Sequence, residues 1–269
     1  MCDNCIKHGE GEKWFLQAKN YNEELLADLS RVGYIQGFFA GQARLVGRRD
    51  PLEKLRLIPS PFSGLVKKLI QHRMARDHYG QVVNIQEVQE ILKLVGSVVR
   101  LPCVCRRISI GKEKRYCFGF SLQPASLGAV GLVDASYWQG PNTAGLEVLT
   151  PEQALNLIET FNRAGLVHSI WTFKTPFIGG LCNCSPVECR AMLANLRYDL
   201  QVLHKGETRA VLDLSACIGC GACSHYCQFG ALEYSQSQRV PHLNTKNCFG
   251  CGLCASACPV QAINLDNES

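Results

Sequence analysis

The sequence predicts an α+β fold, and three observations support this prediction. Two amphipathic helical segments in the middle of the chain begin with capping boxes, and a short apolar strand follows each of them. A longer helical pattern, rich in lysine and arginine, precedes both. The last quarter instead carries two copies of a tight cysteine motif between short strands. We therefore expect a helical, basic region over 1–80, an α/β region over 81–207 and a cysteine-repeat region over 208–269.

The composition favours a folded chain whose cysteines ligate metal. Of 269 residues, 46% are hydrophobic and 19% are charged, which is typical of a folded rather than a disordered chain. The sequence has no signal-peptide pattern and no apolar run long enough to span a bilayer, so we expect a cytoplasmic location. Sixteen cysteines are unusual there, because the reducing cytosol disfavours disulfides. The formal charge of +5 predicts no nucleic-acid partner, since bound anionic metal centres would offset it.

The N-terminal third is predicted to be mainly helical. A short helix is expected over 22–31, followed by a packed, glycine-studded loop over 32–43. A longer helix is expected from Ser60 to about Tyr79. Its predicted apolar face comprises Phe62, Leu65, Val66, Leu69 and Ile70. The segment 44–76 holds nine basic and two acidic residues, so it either docks an acidic partner or is simply a solvated helix face.

Cys2 and Cys5 form an isolated C-x2-C pair. This pair is either half of a zinc or iron site that another segment completes, or an unligated terminus.

One succession of features occurs twice in the middle region: a helix, a glycine that ends it, a strand and a C-x-C pair. The first helix begins with a capping box at 84–87 and the second with a capping box at 150–153. Strands are expected over 97–101 and 166–173, and a glycine loop at Gly179–Gly180 precedes the second C-x-C. The pattern predicts two related units that present cysteines toward each other.

Six cysteines of the middle region fall into two triads. They are Cys103, Cys105 and Cys117, and Cys182, Cys184 and Cys189. We expect four of the six to hold an additional [4Fe-4S] cluster, with Arg106, Arg107 and Arg190 nearby to balance its charge. A capping box at 185–188 predicts a helix with Cys189 in its first turn. The alternative is that these cysteines are small core hydrophobes.

His168 alternates with apolar residues on the second predicted strand. It is a candidate proton donor or metal ligand, and the alternative is a hydrogen-bonded core histidine.

The C-terminal region repeats the spacing C-x2-C-x2-C-x3-C at an offset of 31 residues, from Cys217 to Cys248. Three thiolates in one tight loop can each bind a different iron of a cubane cluster, and the repeated glycines allow the backbone to wrap closely. Zinc sites usually use two separated cysteine pairs, which fits this spacing poorly. The other alternative is that these cysteines form disulfides.

This region resembles the two-cluster bacterial-type ferredoxins. The resemblance implies two [4Fe-4S] clusters, in which the fourth cysteine of each motif ligates the other cluster. It assigns one cluster to Cys217, Cys220, Cys223 and Cys258, and the other to Cys248, Cys251, Cys254 and Cys227. Gln228 stands where the motif usually has proline, whereas Pro259 keeps it.

The middle region is similar to uncharacterised ferredoxin-tailed redox proteins of anaerobes. The resemblance rests on Leu-Pro-Cys-Val-Cys-Arg at 101–106 and Cys-Asn-Cys at 182–184. Such relatives often carry further cysteines after Cys-Asn-Cys, where this chain has Ser185, Pro186 and Val187. The resemblance implies a shared architecture and an anaerobic setting.

Together these features predict an iron–sulfur electron-transfer subunit or adaptor, with redox partners docking on 44–76. The alternative is a reductase that acts on a small substrate at a middle-region cluster or dithiol. The sequence shows neither a nicotinamide nor a flavin motif.

Overall fold

The computed structural model describes residues 2–47, 51–111, 114–139 and 145–267. The α-helices are α1 (Asp3–His8), α2 (Leu29–Ala43), α3 (Ser60–Asp77), α4 (Ile85–Leu94), α5 (Val104–Ile110), α6 (Pro151–Arg163), α7 (Arg190–Tyr198), α8 (Ala222–Tyr226) and α9 (Leu253–Ser256). The strands are β1 (Gly80–Val83), β2 (Ser97–Leu101), β3 (Cys117–Ser121), β4 (Glu147–Leu149), β5 (Val167–Thr172), β6 (Ile178–Cys184), β7 (Leu203–His204), β8 (Thr208–Leu212), β9 (Leu232–Ser235), β10 (Val240–Leu243) and β11 (Ile263–Asn267). The predicted α+β fold class is confirmed.

A seven-stranded sheet with the order β4-β2-β3-β6-β5-β1-β7 forms the centre of the molecule. It contains two β-α-β-β units, β1-α4-β2-β3 and β4-α6-β5-β6. The first strand of each unit pairs with the second strand of the other unit, β1 with β5 and β4 with β2, both antiparallel. The sheet is therefore complete only when both units have folded.

The two C-x-C pairs do not occupy equivalent positions in these units, contrary to our expectation. Cys103 and Cys105 follow β2, whereas Cys182 and Cys184 lie inside β6. The predicted glycine loop is part of β6, and Gly179 is the extra residue of a β-bulge opposite Trp171 and Thr172. A Cβ atom on Gly179 would lie 2.5 Å from the Phe173 ring, so glycine is needed here for packing rather than for a turn.

One face of the sheet is covered by α4 and α6. Both begin with the predicted capping boxes, in which the N-cap side chain and the third helical residue bond to each other's backbone N–H. Their buried apolar residues pack on the sheet together with N-terminal aromatic residues; examples are Trp14, Phe15, Ile91, Ile158 and Leu181.

The other face of the sheet is covered by α2, α3 and α7. The segment 32–43, expected to be a loop, belongs to α2, which buries Ile35 and Phe39. Its glycines are exposed, so they cost some helix propensity without interrupting the apolar stripe. The short helix expected over 22–31 is instead a 3-10 turn followed by the start of α2.

Helices α3 and α7 also differ from expectation. On α3, Phe62, Leu65 and Leu69 are exposed, whereas Ile70 packs inward. The predicted apolar face is therefore only partly used within the chain. Cys189 is the N-cap of α7 and does not lie in its first turn, because 186–188 form turns outside the helix.

The C-terminal region consists of two antiparallel strand pairs, β8–β11 and β9–β10, with the short helices α8 and α9. It is attached to the end of α6 by several hydrogen bonds. Gln228 Nε2 donates to the Gly165 carbonyl at 3.1 Å, and Asn162 Nδ2 donates to Ser256 Oγ at 3.1 Å. Gln228, where the motif usually has proline, thus anchors this region to the sheet. No described helix is long and apolar enough to cross a membrane.

Candidate metal centres

The eight C-terminal cysteines surround two small cavities of about 20 Å³ each. One cavity is lined by Cys217, Cys220, Cys223 and Cys258. The other is lined by Cys227, Cys248, Cys251 and Cys254. The grouping matches the exchange of the fourth cysteine between motifs that the ferredoxin resemblance implies.

Two glycines allow the cysteine loops to pass close to the neighbouring backbone. Gly219 and Gly250 have φ angles of +68° and +72°, in the left-handed region. A Cβ atom on Gly219 would lie 2.3 Å from the Arg239 carbonyl, and one on Gly250 would lie 2.2 Å from the Thr208 carbonyl. Any side chain at these positions would push the loop away from the strand that supports it.

Backbone N–H groups point at the sulfur of the fourth cysteine of each motif. Ala231 N donates to Cys227 Sγ at 3.1 Å, and Ala262 N donates to Cys258 Sγ at 3.2 Å. Such bonds stabilise ligating thiolates and raise the potential of a cluster that they hold.

Several thiols are buried together here. Burial, together with the neighbouring Cys227 and Cys248, raises the pKa of Cys251 to about 12. Four thiolates cannot accumulate in such a place without bound cations. The donor set and the cavity it encloses therefore fit an iron–sulfur cluster.

Five middle-region cysteines line one much larger cavity, of about 300 Å³. They are Cys105, Cys117, Cys182, Cys184 and Cys189. Cys117 and Cys182 are directly opposite each other on β3 and β6, and Cys184 lies on the same face as Cys182 because side chains alternate along a strand. Cys105 at the start of α5 and Cys189 at the N-cap of α7 complete the set.

Cys103 is buried next to this set, where its thiol contacts that of Cys117, but it is not among the residues that line the cavity. Its Sγ accepts hydrogen bonds from Tyr116 N at 3.0 Å and from Arg106 Nη1 at 3.5 Å. Arg106 is fully buried, lies 4.1 Å from the centre of the Tyr116 ring and pairs with Glu188. Burial alone would lower the pKa of Arg106, but the Glu188 hydrogen bond and the nearby cysteines raise it, so a permanent positive charge lies behind the cysteine set.

The thiols facing the large cavity differ in acidity. Burial raises the pKa of Cys105 to about 12, and Cys189 adds to the effect. The pKa of Cys189 itself is lowered by a hydrogen bond from Cys184 and by the N–H groups of Met192 and Ala191 in the first turn of α7. Cys189 is therefore the thiol of this set that most readily becomes a thiolate and a metal ligand.

Most of the rest of the large cavity is apolar, although Arg190, which donates to Gln42 Oε1 at 3.0 Å, also lines it. Its walls include Phe38 and Phe39 of α2, Trp171 and Phe173 near the end of β5, and His78. Burial lowers the pKa of His78 to about 4, so its ring is neutral at physiological pH. The cavity thus joins a cysteine set to a large, mainly apolar space with Arg190 in its wall.

His168 is fully buried and lies outside the residues that line the large cavity. Its ring nitrogens contact Asn183 Oδ1 at 2.6 Å and Asn162 Oδ1 at 3.1 Å. Asn162 in turn bonds Ser256 of the C-terminal region. This geometry fits a positioning role between the sheet and that region better than direct contact with a substrate.

The basic segment 44–76 lies largely on the surface, although Arg48 and Arg49 are outside the described residues. Lys67 pairs with Asp199 at 3.5 Å, and both Arg73 and Arg76 pair with Asp77. Several of its charges are thus already neutralised within the chain. Cys2 and Cys5 lie elsewhere, beside the linker between β7 and β8.

Comparison with known proteins identifies one part of the chain. No match was found among curated proteins. Residues 210–265 match a protein-family model described as a 4Fe-4S dicluster domain. This range contains all eight C-terminal cysteines and ends within β11. The C-terminal region of this protein is thus similar to 4Fe-4S dicluster domains, and residues 208–269 are called the dicluster domain below.

Proposed function

We propose that this protein is an electron-transfer component in which the dicluster domain connects an external low-potential carrier with the cysteine set of the large cavity. The observation that carries the proposal is a continuous apolar contact between the two. Leu253, Phe229 and Phe249 of the dicluster domain pack in one buried cluster with Cys184 and Cys189. The Phe229 and Phe249 rings stack with centroids 4.0 Å apart.

The exposure of the cysteines indicates which set faces solvent and which faces the large cavity. Cys220 belongs to the set with Cys217, Cys223 and Cys258, here called the outer set. It is exposed, so a carrier can approach it from solvent. Cys251 belongs to the set with Cys227, Cys248 and Cys254, here called the inner set. It packs against the buried cluster that includes Cys184. Iron–sulfur clusters bound at these positions would exchange single electrons at low potential.

We also propose that the cysteine set of the large cavity holds an additional [4Fe-4S] cluster. Five thiols face one space, a buried guanidinium lies behind them, and Cys189 has a lowered pKa. An anionic cluster would fit these surroundings, because Arg106 and the first turn of α7 both favour negative charge.

Iron and acid-labile sulfide analysis of anaerobically purified protein tests the additional cluster. We expect about twelve iron atoms per chain, falling to about eight when Cys182 and Cys184 are both replaced by alanine. The matched control is Cys2→Ala, which removes a cysteine that lies beside Cys5 and Glu207, outside the residues that line the cavity, and should keep the iron at about twelve. About eight iron atoms in the unaltered protein would refute the additional cluster.

A second candidate function is reduction of a small apolar substrate at the same place. The specific observation is size: the large cavity has about 300 Å³, whereas each dicluster cavity has about 20 Å³. The whole cavity is at the lower end of the range of small-molecule sites and has aromatic walls.

Electron paramagnetic resonance of the reduced protein separates the two functions. A relay predicts a middle-cluster spectrum that does not respond to added small molecules. A reductase predicts that a neutral aromatic probe changes this spectrum, and that Ala194→Phe, which fills the cavity, abolishes the change. The dicluster signals serve as the internal control in both cases.

The partner surface remains a proposal as well. We propose that an acidic redox protein docks on α3, where exposed Phe62, Leu65 and Leu69 lie among basic residues and the helix covers the large cavity. Association rates that fall steeply with added salt would support this surface. Lys68→Glu should slow association, whereas Lys93→Glu on α4 should not.

A further inference from the structure

A third group of potential metal ligands lies apart from the cysteine sets described above. Cys2 and Cys5 at the start of α1 have their sulfurs 3.5 Å apart. Glu207, in the linker between β7 and β8, brings a carboxylate oxygen within 4.8 Å of both. Cys5 and Glu207 are both buried.

We propose that Cys2, Cys5 and Glu207 bind a single zinc ion that ties the N-terminal segment to the linker of the dicluster domain. Two thiolates and one carboxylate are common zinc donors, and a water molecule would take the fourth tetrahedral position. The sequence indicated only the C-x2-C half of this site, because its third ligand is distant in the chain.

The distance between the sulfurs favours one metal ion over a disulfide. A disulfide bond requires about 2.0 Å between sulfurs. Two thiolates on a tetrahedral zinc ion, each about 2.3 Å from the metal, lie about 3.8 Å apart. The observed 3.5 Å is close to the second value.

The charge of Glu207 provides an independent argument. The residue is only 8% exposed. Within the described parts of the chain, it makes no ion pair with a lysine or arginine; the nearby Lys205 instead donates to the Lys246 carbonyl and lies over the Phe249 ring. A buried carboxylate without a cation is costly, and a bound metal ion would supply the missing positive charge.

A hydrogen-bonded chain already orients the carboxylate. Gln81 is fully buried, and its Nε2 donates to Glu207 Oε1 at 2.7 Å. Trp14 Nε1 donates to Gln81 Oε1 at 2.6 Å, which fixes the orientation of the amide. Outer partners of this kind are characteristic of built metal sites, since they hold a ligand before the metal arrives.

The position of the site suggests what the ion does. Gly206 N, next to Glu207, donates to the Phe249 carbonyl at 2.9 Å, and Phe249 lies between Cys248 and Cys251 of the inner cysteine set. Fixing Glu207 therefore fixes the backbone that supports this set. We expect the ion to be structural, holding the dicluster domain against β1 and α1.

Metal analysis of the full-length protein, purified anaerobically with its clusters, tests the proposal. We expect about one zinc ion per chain, and X-ray absorption at the zinc edge should show two sulfur neighbours at about 2.3 Å and lighter atoms otherwise. Cys5→Ala should lose the zinc. Glu207→Gln should weaken zinc binding about tenfold or more in competition with a chelator.

The matched control is Glu233→Gln, which removes the same charge from an exposed position on β9. Iron and sulfide should stay unchanged in all three variants, which keeps this test independent of the clusters and shows that the variants fold. Zinc retained by Cys5→Ala would overturn the proposal. So would a zinc-free protein with iron or a disulfide at Cys2 and Cys5.

Discussion

His168 is a fully buried residue whose ionisation should affect stability. Burial lowers its pKa to about 4, from about 6.5 in an unfolded chain. Between these values the unfolded state binds a proton that the folded state does not. The titration of this histidine therefore does not reduce the free energy of unfolding above pH 6.5. It reduces that free energy progressively as the pH falls from 6.5 toward 4.

We predict that His168→Gln reduces the pH dependence of unfolding. The native histidine should cost about 2 kcal/mol of stability between pH 7 and pH 5, and glutamine does not titrate. Anaerobic denaturant unfolding, followed by tryptophan fluorescence at both pH values, measures the difference. The control His72→Gln replaces an exposed histidine on α3 and should keep the native slope. An unchanged slope in His168→Gln would contradict the prediction.

Gly250 offers a second test at the residue scale. Gly250→Ala should prevent the inner cysteine loop from closing, because its Cβ would collide with the Thr208 carbonyl at 2.2 Å. We expect a loss of about four iron atoms per chain. Gly230→Ala is the matched control: Gly230 has a similar φ of +66° but no atom within 4 Å of the added Cβ. It should cost only about 1 to 2 kcal/mol of backbone strain and keep the iron.

At the scale of elements, one ion pair joins α5 to the turn before α7. Arg106 is fully buried and pairs with Glu188, which is 21% exposed. Glu188→Ala should destabilise the protein by about 3 kcal/mol or more, because it leaves a buried guanidinium without its partner. The shift of the denaturant midpoint measures this effect. Glu90→Ala breaks the exposed pair with Lys93 and should cost less than about 1 kcal/mol. Equal shifts of the denaturant midpoint in both variants would contradict the expected difference between the buried and the exposed ion pair.

Local patterns predicted some elements closely. The capping boxes at Asn84 and Thr150 placed the starts of α4 and α6 correctly, because N-cap hydrogen bonds depend on residues three positions apart. Gly179 of β6 was misleading because it meets a packing need that only the tertiary structure reveals, whereas the glycines of α2 are exposed and simply did not interrupt the helix. The exposed apolar residues of α3 were likewise assigned to a core that the helix only partly joins.

The candidate sites show the same limit. The eight C-terminal cysteines repeat at short spacing, and the ferredoxin resemblance implied how they are grouped. Five of the middle cysteines line the cavity and Cys103 does not. This division depends on strand register, which spacing alone does not specify. Glu207 lies 202 residues from Cys5, and only the fold brings them together.

At the scale of the whole molecule, Gln228 helps hold the dicluster domain against the sheet. Gln228→Ala removes its hydrogen bond to the Gly165 carbonyl and should weaken docking by about 1 kcal/mol, with iron content unchanged. Faster amide hydrogen exchange at 164–167 would show this loosening. Gln238→Ala, at an exposed turn, should leave that exchange unchanged. If Gln228→Pro behaved like the unaltered protein, the anchoring role would be wrong.

The exchange of strands between the two β-α-β-β units constrains the order of events during synthesis. A nascent chain leaving the ribosome presents β1 long before its partner β5 exists, so β1 must wait for about ninety residues to be added. The middle cysteines cannot converge until β6 has emerged and paired with β3. A cofactor that needs both Cys117 and Cys182 can therefore assemble there only after β6 has been translated.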